Sequence, residues 1–190
     1  VLMVTLNNKD AGEPIAYMSA NLLSAARTGA VPGVATRYLA RKDAEVLLCI
    51  GCGAIGKDHC RRIIETVPGA TVVAVSDYVA AAADDTAAKY GIKSYGNDCD
   101  GMIKDPEVEA VVITSIDPTH HDYVMKTLAE EKWCFCEKPL SQNAADCEDI
   151  IKREQEIGKR LVQVGFMRHY DRGYAEMKLS LIHISEPTRP

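Results

Sequence analysis

Gly51-Cys-Gly53-Ala-Ile-Gly56 places three glycines at a spacing with a specific use. The first permits a sharp turn. The second lets bare backbone approach an anion, and the third lets the following helix lie close against the strand before it. A helix starting there presents unpaired N–H groups and a positive dipole end to a phosphate. Asp77, 21 residues beyond Gly56, completes the pattern at the end of a second apolar run. Its carboxylate can accept from ribose hydroxyls and would repel a 2′-phosphate, and Tyr78 rather than an arginine follows it. The pattern therefore predicts NAD rather than NADP, with Gly51, Gly53, Ala54, Ile55, Gly56 and Asp77 as its contacts.

Two further polar groups sit where strands should end. Ser115-Ile-Asp117-Pro118-Thr119-His120-His121 follows the run 108–114, and Glu137-Lys138-Pro139-Leu140 follows Trp133–Cys136. In a parallel sheet such ends line the ligand crevice, so Ser115, Pro118 and His120 join the predicted cofactor contacts. Asp117 and Thr119 can equally cap a helix, and the two histidines can equally pack. Cys49-x-x-Cys52 with His59-Cys60 suggests zinc only superficially, because no second cysteine pair of zinc-ribbon spacing exists and Cys49 falls on an apolar run. No metal is predicted.

These residues need a scaffold, and the apolar runs describe one. Strands are predicted at 46–50, 71–76, 92–95, 108–114, 133–136 and 160–166. Helices are predicted at 57–67, 79–90, 98–104, 118–131 and 141–157, with Gly91 and Gly158 as C-caps, Thr119 as an N-cap and Ser141 as another. Strands alternating with helices imply an α/β fold with a doubly wound parallel sheet, a Rossmann dinucleotide-binding domain over 46–165. Residues 1–45 carry a helical pattern of their own, 18–27 and then 34–39. Residues 166–190 lie beyond the second seam.

The whole chain has 190 residues, 47% of them hydrophobic and 26% charged, with 22 basic against 27 acidic side chains and a formal charge of −5. That is the balance of an ordinary globular domain, and it excludes a stripe of cations for nucleic acid. No apolar run reaches the ~18 residues of a membrane span. Seven cysteines without a secretion signal lead us to expect reduced thiols and a cytoplasmic protein.

Taken together, Gly51–Gly56, Asp77, Phe135-Cys-Glu-Lys-Pro-Leu140 and Arg160-Leu-Val-Gln-Val-Gly-Phe-Met-Arg-His-Tyr170 resemble the Gfo/Idh/MocA oxidoreductase family over roughly 51–178. Within it they are most similar to members that oxidise the ring polyol myo-inositol. The resemblance implies hydride transfer from a ring carbinol to NAD, with Lys138 as the catalytic group beside the nicotinamide and the reacting hydroxyl. A proton acceptor is needed there because an alcohol is a weak acid, and the positive nicotinamide ring favours the neutral amine. The resemblance also implies a cis Lys138–Pro139 bond, a cofactor contact from Glu137, substrate contacts from Lys138 and Arg168, and a homo-oligomer, a tetramer in relatives. In the family an Asp and a His from a C-terminal α/β substrate domain complete the site. His169 and His183 do not match that histidine. We expect that domain to be largely missing here, and the chain to be catalytically incomplete.

Residues 1–45 are surplus to that family. Gly12-Glu-Pro-Ile-Ala-Tyr-Met18, Ala26-Arg-Thr-Gly-Ala30 and Ala35-Thr-Arg-Tyr-Leu-Ala-Arg41 resemble the ornithine cyclodeaminase/μ-crystallin family, which implies a carboxylate contact at Arg27. Both families place a strand and glycines near 46–56, so a chimera joined there is expected. Leu181–Pro190 matches neither family and is expected to be a non-native tail. Three other readings stay open: a different sugar or polyol dehydrogenase of the family, an ornithine cyclodeaminase-like deaminase, and an inactive NAD-binding module.

Overall fold

A computed structural model describes residues 2–39, 46–67, 69–166, 168, 172–174 and 176–177. The chain opens with an antiparallel hairpin, β1 (Met3–Asn7) and β2 (Pro14–Ser19), followed by α1 (Asn21–Leu39). Here the expectation of a purely helical N-terminal segment is corrected. Met18, assigned above to a helix, pairs with Val4 across the hairpin, and the two helical patterns are one continuous helix through Pro32. The hairpin's turn has its own chemistry. The Asn8 side chain accepts from the amides of Asp10 and Ala11, and Gly12 takes a positive φ of 72°.

The remainder is a six-stranded sheet in the order β5-β4-β3-β6-β7-β8. The strands are β3 (Val46–Ile50), β4 (Thr71–Ser76), β5 (Lys93–Ser94), β6 (Ala110–Ile113), β7 (Trp133–Cys136) and β8 (Val162–Val164). Every pairing within it is parallel. The linking helices are α2 (Ala54–Thr66), α3 (Ala80–Tyr90), α4 (Cys99–Lys104), α5 (His120–Ala129) and α6 (Ala144–Ile157). The chain runs outward from β3 to β5 in one direction and from β6 to β8 in the other. That reversal leaves a crevice beyond the C-terminal ends of β3 and β6.

Both faces of the sheet are covered, so its strands are apolar on both sides. On β6, Val111 and Ile113 join Met102, Val124, Leu128 and Ile150 under α4, α5 and α6. Val112 points the other way, to Ile63, Phe135 and Ala35 under α2 and α1. β7 alternates likewise, with Cys134 and Cys136 on the first face and Phe135 on the second.

Several helix starts differ from expectation. α2 begins at Ala54, three residues earlier than predicted, directly on the glycine turn. Asn143 rather than Ser141 caps α6, accepting from the Asp146 amide, while the Ser141 hydroxyl donates to the Asp146 carboxylate. Thr119 does not cap α5. Asp117–Thr119 forms a 3-10 turn, and the Thr119 hydroxyl donates back to the Ile116 carbonyl.

Candidate active site

The glycine turn is built by exclusion. Gly51 has φ 100°, and a Cβ there would lie 2.7 Å from Thr114 Oγ1 and 2.8 Å from its carbonyl oxygen. A Cβ on Gly56 would fall 2.0 Å from the Gly51 carbonyl. Neither position tolerates a side chain. Gly53 is different, because a Cβ there would meet nothing within 4 Å. Its open side faces outward at the start of α2, a helix end with no side-chain cap and no acid in its first turn. A pyrophosphate fits that place: uncapped N–H donors, a favourable dipole and no competing anion.

Asp77 fastens this turn to β4. One carboxylate oxygen accepts from the Cys52 amide at 2.7 Å and the other from the Val79 amide at 2.9 Å. Each oxygen keeps a second acceptor site for a ribose hydroxyl. Thr114, which the sequence reading passed over, lies beneath the same turn. Its hydroxyl reaches the carbonyls of Ile50 at 2.9 Å and Gly51 at 3.1 Å, joining the end of β6 to the end of β3.

On the other side of the crevice, the Thr119 proton goes to the Ile116 carbonyl, so the Ser115 hydroxyl donates to Thr119 Oγ1 at 2.7 Å. Pro118 is exposed on the 3-10 turn. His120 is turned inward and 1% exposed, the packing alternative left open for it above. Nδ1 lies 2.6 Å from the Pro139 carbonyl and Nε2 3.1 Å from the Ser115 carbonyl, so both ring nitrogens face backbone.

At the end of β7, Lys138 is exposed and joined to Pro139 by a cis peptide bond. Glu137 is half-buried. Oε1 lies 2.8 Å from His59 Nε2, and Oε2 accepts from the Lys138 amide at 3.1 Å. His59 itself is fully buried, bonded through Nδ1 to the Ile55 carbonyl and set edge-on to Phe135. Its place in Gly56-Lys-Asp-His59 puts it one turn into the helix that begins on the glycines, while its partner Glu137 lies 78 positions away and no sequence signal joins the two. Arg168 is exposed and its guanidinium lies 4.4 Å over the Tyr174 ring, directed along its own segment. His169 and His183 lie outside the described residues.

The thiols around the turn serve structure. Cys49 Sγ lies 3.4 Å from the Gly51 carbonyl oxygen, and Cys52 Sγ lies 3.8 Å from that of Ser76. Burial pushes the Cys52 thiol up to about 11, so it stays neutral beside an anion site.

The family whose description reads "Oxidoreductase family, NAD-binding Rossmann fold" (Gfo/Idh/MocA) matches residues 46–166. Inositol 2-dehydrogenase of Salmonella paratyphi B is 49% identical over 131 residues, 68% of this chain and 39% of that protein. The Ralstonia nicotianae protein of the same name is 50% identical over the same shares. Among solved structures, myo-inositol dehydrogenase from Lactobacillus casei, in complex with NAD(H) and myo-inositol, aligns with a TM-score of 0.64 at 34% identity. That alignment covers 74% of this chain and 42% of that one. The chain thus spans about two-fifths of the length of the relatives it matches.

Proposed function

The chain belongs to the Gfo/Idh/MocA oxidoreductase family with its NAD-binding Rossmann fold, and from that premise we propose that it serves NAD-dependent oxidation of a ring carbinol of a polyol such as myo-inositol. One observation carries the reading. The glycine turn, Asp77 and Lys138 all sit at the C-terminal edge of the parallel sheet, around the reversal between β3 and β6. Gly51, Gly53 and Gly56, with Ala54 and Ile55 opening α2, hold the pyrophosphate, and Asp77 selects the unphosphorylated ribose. Bound there, NAD would supply the acceptor for the hydride of the carbinol carbon. Lys138 holds the substrate hydroxyl and accepts its proton as the C–H bond breaks. Glu137 fixes the backbone from which Lys138 projects, and Ser115 and Pro118 border the nicotinamide side. Arg168 contributes to the polyol cleft.

In domain terms, 46–165 is the cofactor domain, 1–45 a separate segment in front of it and 166 onward the beginning of a substrate domain. The polyol, a cytoplasmic setting and a homo-oligomeric assembly are part of the same proposal. The names of the relatives support the polyol, and among the described residues no helix is long and apolar enough to cross a membrane.

The test is titration with NADH and NADPH followed by Trp133, the single tryptophan. NADH should quench saturably and NADPH at least ~10-fold more weakly, the scale of one lost or opposed charged hydrogen bond. Lys138→Met should leave the NADH midpoint in place and lower any inositol-dependent NADH formation by ~10²–10⁴-fold. Equal binding of both dinucleotides, or full turnover without Lys138, would refute the reading.

A further inference from the structure

Lys138 is exposed, yet the two residues flanking it are fastened from opposite faces of the sheet by buried histidines. His59 on α2 comes from the face that holds Ile63 and Phe135, and His120 at the start of α5 from the face that holds Val124 and Cys136. They are 0% and 1% exposed. His59 takes the Glu137 side chain at 2.8 Å, and Glu137 in turn accepts from the Lys138 amide. His120 Nδ1 lies 2.6 Å from the Pro139 carbonyl, and Nε2 faces the Ser115 carbonyl across the crevice at 3.1 Å.

The hydrogen-bond inventory fixes the direction of these contacts. The Ile55 carbonyl can only accept, so His59 donates from Nδ1. Its Nε2 then faces a carboxylate, and a proton must lie between the two groups. The histidine and Glu137 therefore hold one shared proton at a contact whose imidazole side is fully buried, where an unpaired partner costs more than in water. For His120 both neighbours are carbonyls, and the shorter contact assigns the donor to Nδ1, toward Pro139. Burying two imidazoles costs desolvation that apolar side chains of similar size would not. A packing role alone gives no reason for that choice, whereas a need to hold the peptide units before Lys138 and after Pro139 does.

We propose that His59 and His120 are positioning residues which bracket Lys138, His59 through the Glu137 carboxylate and His120 through the Pro139 carbonyl. The proposal rests on the reading of Lys138 as the proton acceptor, but its geometry can be tested without that chemistry. Asparagine places an amide N–H near the Nδ1 position of a histidine, and glutamine places one near Nε2. For residue 59 the nitrogen that matters is Nε2, and for residue 120 it is Nδ1. The rescuing substitution is therefore opposite at the two sites.

The experiment uses the full chain with its lysines methylated by ¹³C-formaldehyde. The Lys138 resonance is identified by its loss in Lys138→Arg. His59→Gln and His120→Asn should leave that resonance at its wild-type position, while His59→Asn and His120→Gln should shift or broaden it. Glu137→Met, whose side chain can neither bond the His59 imidazole nor accept from the Lys138 N–H, provides a second route. It should move the Lys138 resonance even if the histidine variants fail to fold. Identical behaviour of the two substitutions at each site, or a Lys138 resonance unmoved by Glu137→Met, would overturn the bracket. NADH titration of the same samples separates the two claims. Loss of dinucleotide binding in the wild type with the crossed pattern intact would refute the oxidoreductase reading alone.

Discussion

Asp77 and Thr114 show how little of a dinucleotide site consists of groups that touch the dinucleotide. Asp77 spends one acceptor on the Cys52 amide and one on the Val79 amide before any ribose arrives. Thr114 spends its single proton on the carbonyls of Ile50 and Gly51. The prediction at this scale concerns Thr114. Thr114→Val keeps the shape and removes the donor, leaving the Gly51 carbonyl without it at a residue whose φ of 100° already needs support. We expect a loss of about 1–2 kcal/mol in urea unfolding and a several-fold weaker NADH midpoint. Thr114→Ser should restore both, and an unchanged midpoint in the valine variant would show that the glycine turn holds itself. The glycines and Asp77 were legible in the sequence because type and spacing alone define them. Thr114, His59 and the inward turn of His120 were not, because each depends on what a residue 19 to 78 positions away presents to it.

At the scale of elements, the strands of the sheet were legible because runs such as Val-Val-Ala-Val and Ala-Val-Val-Ile are apolar on both faces and bounded by turns. The hairpin β1–β2 was missed although Asn7-Asn8-Lys-Asp-Ala-Gly12 is a turn signal between two apolar stretches. Its strands are exposed on both sides, so their hydrophobic pattern never declares a face. The helix that follows docks by absence of side chain. A Cβ on Gly29 would lie 2.6 Å from Asp58 Oδ2 and 3.0 Å from the Asp58 backbone, and one on Gly33 would lie 3.3 Å from Arg62 Cβ and carbonyl oxygen. Among the described residues, that contact leaves Asp58 Oδ2 and Arg62 Nε buried without hydrogen-bond partners, a cost of the kind that keeps an interface weak. Gly29→Val should therefore release α1 from α2, with an overpacking penalty of about 1–3 kcal/mol. Gly33→Ala should be near neutral, because a shift of a few tenths of an ångström is offset by about 1 kcal/mol of helix propensity. Hydrogen exchange distinguishes the outcomes. Amides of 21–39 should exchange faster in Gly29→Val while those of β4 stay protected, and unchanged protection of α1 would mean that the close approach does not hold it.

The molecule as a whole carries its thiols inside. Cys49, Cys52, Cys134 and Cys136 are all buried in or beside the sheet, and burial raises each of them; for Cys49 the neighbouring Cys60 thiol contributes first. The sign of the consequence follows from proton counting. An unfolded thiol ionises near pH 8.5, while these folded thiols hold their protons to higher pH. Above that point the unfolded chain binds fewer protons than the folded one, so stability is fully present below pH ~8.5 and is lost as pH rises toward the folded values. Each thiol withdraws at most ~1.4 kcal/mol per pH unit in that window. Asp105 works at the opposite end. The Tyr95 hydroxyl, the Glu107 amide and Lys93 hold its carboxyl below the ordinary range, so its contribution is present above the unfolded carboxylate pKa and fades as pH falls through it. The fold should thus be most stable between about pH 5 and 8. Urea midpoints should fall between pH 8 and 10, and should fall less steeply in Cys134→Ala, once its own lower midpoint at pH 7 is taken as the starting value. A midpoint that stays level across that alkaline window would mean that these thiols ionise inside the fold, and that the sheet around the glycine turn admits water and charge that its packing excludes.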